Sequence, residues 1–234
     1  MSEQTAHEGK WILGIDTCGP TGTVALGRLL AGGHAETVEQ RELPGKSYAA
    51  LLTPAIRELL ASARASVGDL AALVAVHGPG SFTGVRVGLS TVKGLAEAAG
   101  TPVVAVSRLA ALAHKAGVRC AALDAHRHEV FLRLEAGDAG PRELLAGPGE
   151  LTLEAAPGEP VAVCDDAAAD RLWEAWPEAD LVHVAEPTAA DALELAAPEI
   201  AAGRFADLVL LDGNYLRRSD AEIFGEAAGT VRGA

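Results

Sequence analysis

Two stretches of the chain, 108 residues apart (124 − 16), read alike. In the first, the apolar run Trp11 to Ile15 ends on Asp16 and meets the turn chemistry Cys18-Gly19-Pro20-Thr21-Gly22. It then resumes as a strand over Thr23 to Leu26. In the second, Arg119 to Leu123 ends on Asp124, turns briefly, and resumes over Glu129 to Leu134. An apolar run that stops at a carboxylate and a turn before folding back is a hairpin. Its recurrence at about half the length of a 234-residue chain predicts a duplicated unit. The chain is therefore expected to build the same kind of sheet twice.

The intervening elements agree with an α/β chain. A third strand is expected through Ala35 to Leu43, then a helix from Ser47, the expected N-cap, to about Ala63. Within that helix Leu51, Leu52, Ala55, Ile56, Leu59 and Leu60 recur at helical spacing. Pro54 lies inside it, so the helix either starts nearer Thr53 or kinks there. Leu70 to Val76 is a near-continuous apolar run, as in a strand covered on both faces. It feeds Gly78-Pro79-Gly80-Ser81-Phe82-Thr83-Gly84 and a helix from about Thr83 to Ala99, stopped by Gly100-Thr101-Pro102. Val103 to Val106 and a helix from Ser107 to about Lys115 close the first half.

In the second half, Asp138 to Pro160 has the weakest periodicity. Strands are then expected over Val161 to Cys164 and Leu181 to Val184, and helices over about Ala167 to Ala175 and Ala189 to Gly203. Asp207 to Leu211 is a last apolar run, and Gly225 to Ala234 reads as a loose tail. The expected division is 1–106 and 107–234, the tail belonging to the second unit.

Charge narrows the function. Nineteen Lys and Arg against 32 Asp and Glu give a net charge of −13. Such a surface repels phosphate backbones, so the chain is not expected to hold nucleic acid by itself. Cys18, Cys120 and Cys164 stand singly, which argues against a disulfide framework or a zinc knuckle and fits a reducing, cytoplasmic setting. Met1 to Lys10 is polar, with no leader visible, and no run approaches the ~18 apolar residues of a membrane span.

The Gly78 to Gly84 loop has two readings. Free N–H groups at a helix start favour an anion, or the loop is a tight strand-to-helix turn with Ser81 as its cap. It is neither G-x-x-x-x-G-K-[ST] nor G-x-G-x-x-G. Asp16, Gly78, Gly80, Ser81, Thr83 and Asp124 are the candidate nucleotide-binding residues. The alternative for Asp16 and Asp124 is that each only initiates its turn.

Gly80, Gly84 and Gly88 recur every four residues, leaving a helix face without side chains. An interior helical glycine costs about 1 kcal/mol, so another backbone should pack on that face, internally or across an interface. His126 and His128 are expected to be exposed, without the third ligand a zinc site needs. Cys18 lacks a nearby histidine and is not favoured as a nucleophile.

Four segments together resemble a known family. Ile12-Leu13-Gly14-Ile15-Asp16-Thr17 with Val24-Ala25-Leu26 is similar to its opening hairpin. Gly78-Pro79-Gly80-Ser81-Phe82-Thr83-Gly84-Val85-Arg86-Val87-Gly88 resembles its most specific signature. Leu123-Asp124-Ala125-His126-Arg127 with Glu129-Val130-Phe131, and Tyr215-Leu216-Arg217, are similar to its midchain and C-terminal motifs. The family is TsaB, also called YeaZ, of threonylcarbamoyladenosine biosynthesis, and the resemblance runs from about Trp11 to Arg218.

The resemblance implies an actin-like, ribonuclease H-like fold of two similar lobes, each a mixed sheet with flanking helices. It implies a non-catalytic subunit of the machinery that places threonylcarbamoyl on adenosine thirty-seven of ANN-decoding tRNAs. The implied partners are TsaD, bound through the first two helices, and the ATPase TsaE, with tRNA met only inside the complex. Carried onto this sequence, the interface is Ser47, Tyr48, Leu51, Leu52, Gly84, Arg86, Gly88 and Leu89, and a homodimer of the isolated chain would compete for it. No tightly bound cofactor or metal is expected, with ATP or ADP at the partner interface the one candidate.

The sequence departs from the family pattern at Lys46-Ser47, where His-Ser is common, at His126 and His128, and at Gly213-Asn214. The competing readings are an independent ATPase or small-molecule kinase, and a peptidase. The seven histidines contain no H-E-x-x-H or H-x-x-x-H, which speaks against the peptidase.

Overall fold

The computed structural model describes residues 9–45, 47–135 and 140–217. Lys46, Asp138, Arg218 and the expected tail at Gly225 to Ala234 lie outside the described residues. The first hairpin is β1 (Lys10–Asp16) and β2 (Thr21–Leu30), followed by β3 (His34–Pro44), α1 (Tyr48–Ser62), β4 (Leu70–Val76), α2 (Phe82–Ala99), β5 (Val103–Val106) and α3 (Arg108–Ala116). The second hairpin is β6 (Cys120–Asp124) and β7 (Val130–Glu135), followed by β8 (Pro141–Ala146), α4 (Pro148–Leu151), β9 (Val161–Val163), α5 (Asp166–Ala175), β10 (Leu181–His183) and α6 (Ala189–Ala201). Both halves therefore spell βββαβαβα.

The sheets repeat the same order. The first runs β3-β2-β1-β4-β5 and the second β8-β7-β6-β9-β10. In each, the first three strands pair antiparallel, the fourth pairs parallel with the central strand, and the fifth pairs parallel with the fourth. The fold is an α/β duplication of two mixed sheets with flanking helices, the architecture expected of the actin-like, ribonuclease H-like class.

The final helix of each half crosses to the other half's sheet. Leu109, Leu112 and Ala113 of α3 join the core over Ala121, Leu123 and Phe131. Ala189, Ala192, Leu193, Ala196 and Ile200 of α6 join the core of the first sheet with Ile12, Val24 and Leu73. The expected 107–234 unit therefore does not hold together as one core, because α6 and Leu211 are packed with the first lobe. The physical reason is local: a Cβ at Gly14 would stand 2.8 Å from Ala189 O, and one at Gly27 would stand 3.0 Å from a Leu193 methyl. The missing side chains on β1 and β2 let α6 sit directly on the sheet.

Three further segments are defined by the structure. Helix α1 starts at Tyr48 and runs through Pro54, and Ser47 occupies its N-cap without a side-chain cap bond. The weakly periodic segment holds β8 and the single turn α4, because β8 is a half-buried edge strand with no clean alternation. The last apolar run, Asp207 to Leu211, holds a turn over residues 208–210, and Val209 (87%) and Leu210 (78%) are exposed.

Leu193 is wholly buried between α6 and the first sheet. Replacing it with Ala is expected to cost about 2–5 kcal/mol by urea denaturation, and to loosen the first lobe although it lies in the second half of the sequence.

Candidate functional site

The Gly78 to Gly84 loop is held against the turn that follows β1. Ser81 N donates to Cys18 O at 2.8 Å, and Thr17 Oγ1 donates to Gly84 O at 2.7 Å. Ser81 is the N-cap of α2, its hydroxyl accepting from Gly84 N at 3.3 Å. A side chain at Gly84 would collide with Thr17 O, one at Gly80 with Cys18 O, and one at Gly88 with Thr17 Oγ1. The stripe is therefore filled from inside the chain.

This corrects part of the interface expectation. Gly84, Gly88, Leu89, Leu52 and Tyr48 are buried within the chain itself and offer little surface. The Tyr48 hydroxyl instead donates to Gly19 O at 2.5 Å. Ser47 is half-buried, while Leu51 (38%) and Arg86 are exposed. Around Arg86 lies a small aromatic platform: its guanidinium stands 3.9 Å over the Phe82 ring, whose centroid is 4.9 Å from that of Tyr215.

The two carboxylates of the repeat play the same local part. Asp16 Oδ1 accepts from Cys18 N at 2.8 Å, and Asp124 Oδ1 accepts from His126 N at 2.9 Å. Each thus closes its own turn two residues on. Their other contacts differ. Asp124 Oδ2 meets His126 Nδ1 at 2.7 Å near the surface. Asp16 is buried, with Arg108 Nε 3.7 Å away.

Burial raises the Asp16 carboxyl above its ordinary pKa, and Arg108 opposes that rise. Burial also pushes the Cys18 thiol well up and Cys164 to about 11, so neither is a ready thiolate. Cys18 Sγ donates to Val76 O at 3.3 Å.

Between the lobes lies a cleft of about 510 Å³. Of the candidate nucleotide residues, Gly80, Ser81 and Asp124 line it. Asp16, Gly78 and Thr83 lie outside its lining. Arg108, Glu186 and Arg217 also line it and were not anticipated from the sequence. Nothing in local patterning marks Arg108, which follows the helix cap Ser107 like any first-turn residue.

The brief turn after Asp124 is built from three residues with positive φ, His126 (59°), Arg127 (54°) and His128 (66°). His126 turns to Asp124 and His128 to Arg171 at 2.6 Å. Among the described residues, no three His, Cys, Asp or Glu side chains gather as a metal site.

The family model for TsaD, tRNA N6-adenosine threonylcarbamoyltransferase, matches residues 40–140. The tRNA threonylcarbamoyladenosine biosynthesis protein TsaB of Haemophilus influenzae is 37% identical over 126 residues, 51% of this chain and 51% of that protein. TsaB of Escherichia coli is 35% identical over 51% of this chain and 52% of its own length. The chain spans about half the length of these curated relatives. The solved structure of YeaZ from Pseudomonas aeruginosa superposes with a TM-score of 0.68 at 28% identity, covering 88% of this chain and all (100%) of that one. The likeness to TsaB and YeaZ proteins thus covers about half of the chain in sequence and most of it in fold. A second Pseudomonas aeruginosa structure, described as similar to peptidase YEAZ, gives a TM-score of 0.70 at 29% identity over 89% of this chain.

The stripe also defines a control. At Gly94, on the same helix, an added Cβ meets nothing within 4 Å. By urea denaturation, Gly94→Ala is expected to stabilise by about 0.5–1 kcal/mol, as an exposed helical glycine should. Gly84→Ala is expected to destabilise by about 3 kcal/mol, because the obstruction is backbone that cannot swing aside.

Proposed function

We propose that this chain is a non-catalytic subunit of a tRNA threonylcarbamoyladenosine machinery, acting on adenosine thirty-seven of ANN-decoding tRNAs through a heterodimer with a TsaD homologue. The observation that carries the reading is the likeness to TsaB and YeaZ proteins, joined to where that likeness falls. The stretch similar to TsaD, residues 40–140, contains both α1 and α2. A chain and a partner that share the same helix pair can meet in a pseudo-twofold arrangement, each presenting equivalent faces.

The exposed side of that pair on this chain includes Leu51, Phe82 and Arg86, with Tyr215 backing Phe82. Apolar and aromatic groups with an arginine are the composition that interface centres favour. With a net charge of −13, the basic contacts to tRNA fall to the partner. TsaE is the expected third member, and ATP or ADP bound at the partner interface is part of the same proposal. The isolated chain would dimerise through the same face.

The cleft favours a second reading, an independent ATPase or small-molecule kinase. Arg108 weighs against it, because its guanidinium engages the carboxylate that a metal-bound phosphate would need. Steady ATP turnover by the purified chain, abolished in Asp16→Ala, would decide for the enzyme; no turnover is expected.

The scaffold reading is tested by titrating the chain against the TsaD homologue from the same cell. Tight association is expected, and Leu51→Glu with Arg86→Glu should weaken it more than about tenfold, ~1.4 kcal/mol. The thermal midpoint should stay put, since both positions are exposed. Purified proteins that form no complex, with tRNA modification intact when this chain is left out, would sink it.

A further inference from the structure

We propose that Arg108 is a built-in clamp that holds the two lobes closed on the cleft, doing from within the chain what a bound ligand does in proteins that close around one. Domain closure on a ligand works by contacts to both lobes at once. Arg108 makes such contacts. It is the first residue of α3, whose apolar face is packed into the second lobe's core. Its guanidinium reaches the other way. Nε is 3.7 Å from Asp16 Oδ2 at the end of β1, and Nη2 is 3.3 Å from Glu186 Oε2. The guanidinium also lies against Gly19, where an added Cβ would leave it no room.

The contact is made where charge counts. Arg108 and Asp16 side chains are only 7% and 2% exposed, so their attraction is little screened by solvent. Arg108 Nε has no hydrogen-bond partner, and Asp16 at 3.7 Å is beyond direct bonding distance. The pair is thus held by charge and packing rather than by directional bonding, which suits a contact that must form and break as lobes move. Glu186 sits in the segment that carries the chain from β10 back to α6 on the first lobe. The same α3 grips that return a second time, through Lys115 Nζ to Glu186 O at 3.0 Å and to Asp191 Oδ2 at 2.9 Å. One second-lobe helix therefore holds the first lobe at the end of β1, at the return segment and at α6.

The inference stands independently of the tRNA reading, since it concerns the chain alone. It is tested on the full chain by small-angle scattering and amide hydrogen exchange, comparing wild type with Arg108→Met, Arg108→Lys and Glu186→Gln. In Arg108→Met the radius of gyration should rise beyond wild type. Exchange in the β1–β2 turn and in residues 184–188 should speed about tenfold, while the centres of both sheets keep their protection. Lys carries the same charge on one compact ammonium and lacks the planar fork that spans both carboxylates, so Arg108→Lys should fall between, and Glu186→Gln should move the same way by less. If Arg108→Met fails to fold, the other two carry the test. Unchanged scattering in the folded variants overturns the clamp, as does faster exchange spread evenly through both sheets.

Discussion

Helix α2 can approach the first hairpin only because Gly84 and Gly88 within it, and Gly80 just before its cap, have no side chain. The Thr17 carbonyl lies where a Cβ of residue 84 would be, and the Cys18 carbonyl where one of residue 80 would be. That contact lets Ser81 N and Thr17 Oγ1 make their bonds, seats the loop against the turn after Asp16, and places Gly80 and Ser81 on the wall of the cleft. A helix with alanines there would stand further from the sheet, and the hairpin turn would lose its support. The glycine spacing is costly to helix stability, and the close backbone packing offsets that cost.

A second constraint ties the halves together. Each half ends in a helix that its own sheet does not use, α3 lying on the second sheet and α6 on the first. Two lobes joined in this way share their cores through two exchanged helices, which leaves relative movement to the few groups that face one another across the cleft. Arg108 and Glu186 on the cleft lining, with Asp16 and Lys115 paired to them behind it, are the foremost of these. The turn-closing aspartate of the first lobe, just behind the cleft lining, is thus met by an arginine from the second.

Much of this was legible beforehand. The two hairpins with their terminal aspartates, the apolar β4, the caps Ser81 and Ser107, and the helices α2, α3, α5 and α6 all follow from local pattern, because capping and periodicity act over a few residues. Strand β8 was not legible, since an edge strand half-buried on both faces shows no alternation. Of the expected interface residues, Leu51 and Arg86 are outward, whereas Leu52, Gly84, Gly88 and Leu89 are turned into the chain's own core. Helical periodicity gives the buried face of α1 and α2 without saying whether a sheet of the same chain or a partner covers it.

By itself, the amino-acid sequence determined the duplication, the α/β class, the acid balance, and the motifs that resemble the TsaB/YeaZ family. All of these are written in residue order or composition. Only the tertiary structure decided that the glycine stripe is filled by Thr17 and Cys18, that the closing helices change places, and that Arg108 stands beside Asp16, 92 positions earlier (108 − 16). Those are meetings between segments distant in the chain. No local periodicity encodes them, because what brings the groups together is the burial of apolar faces across the whole fold.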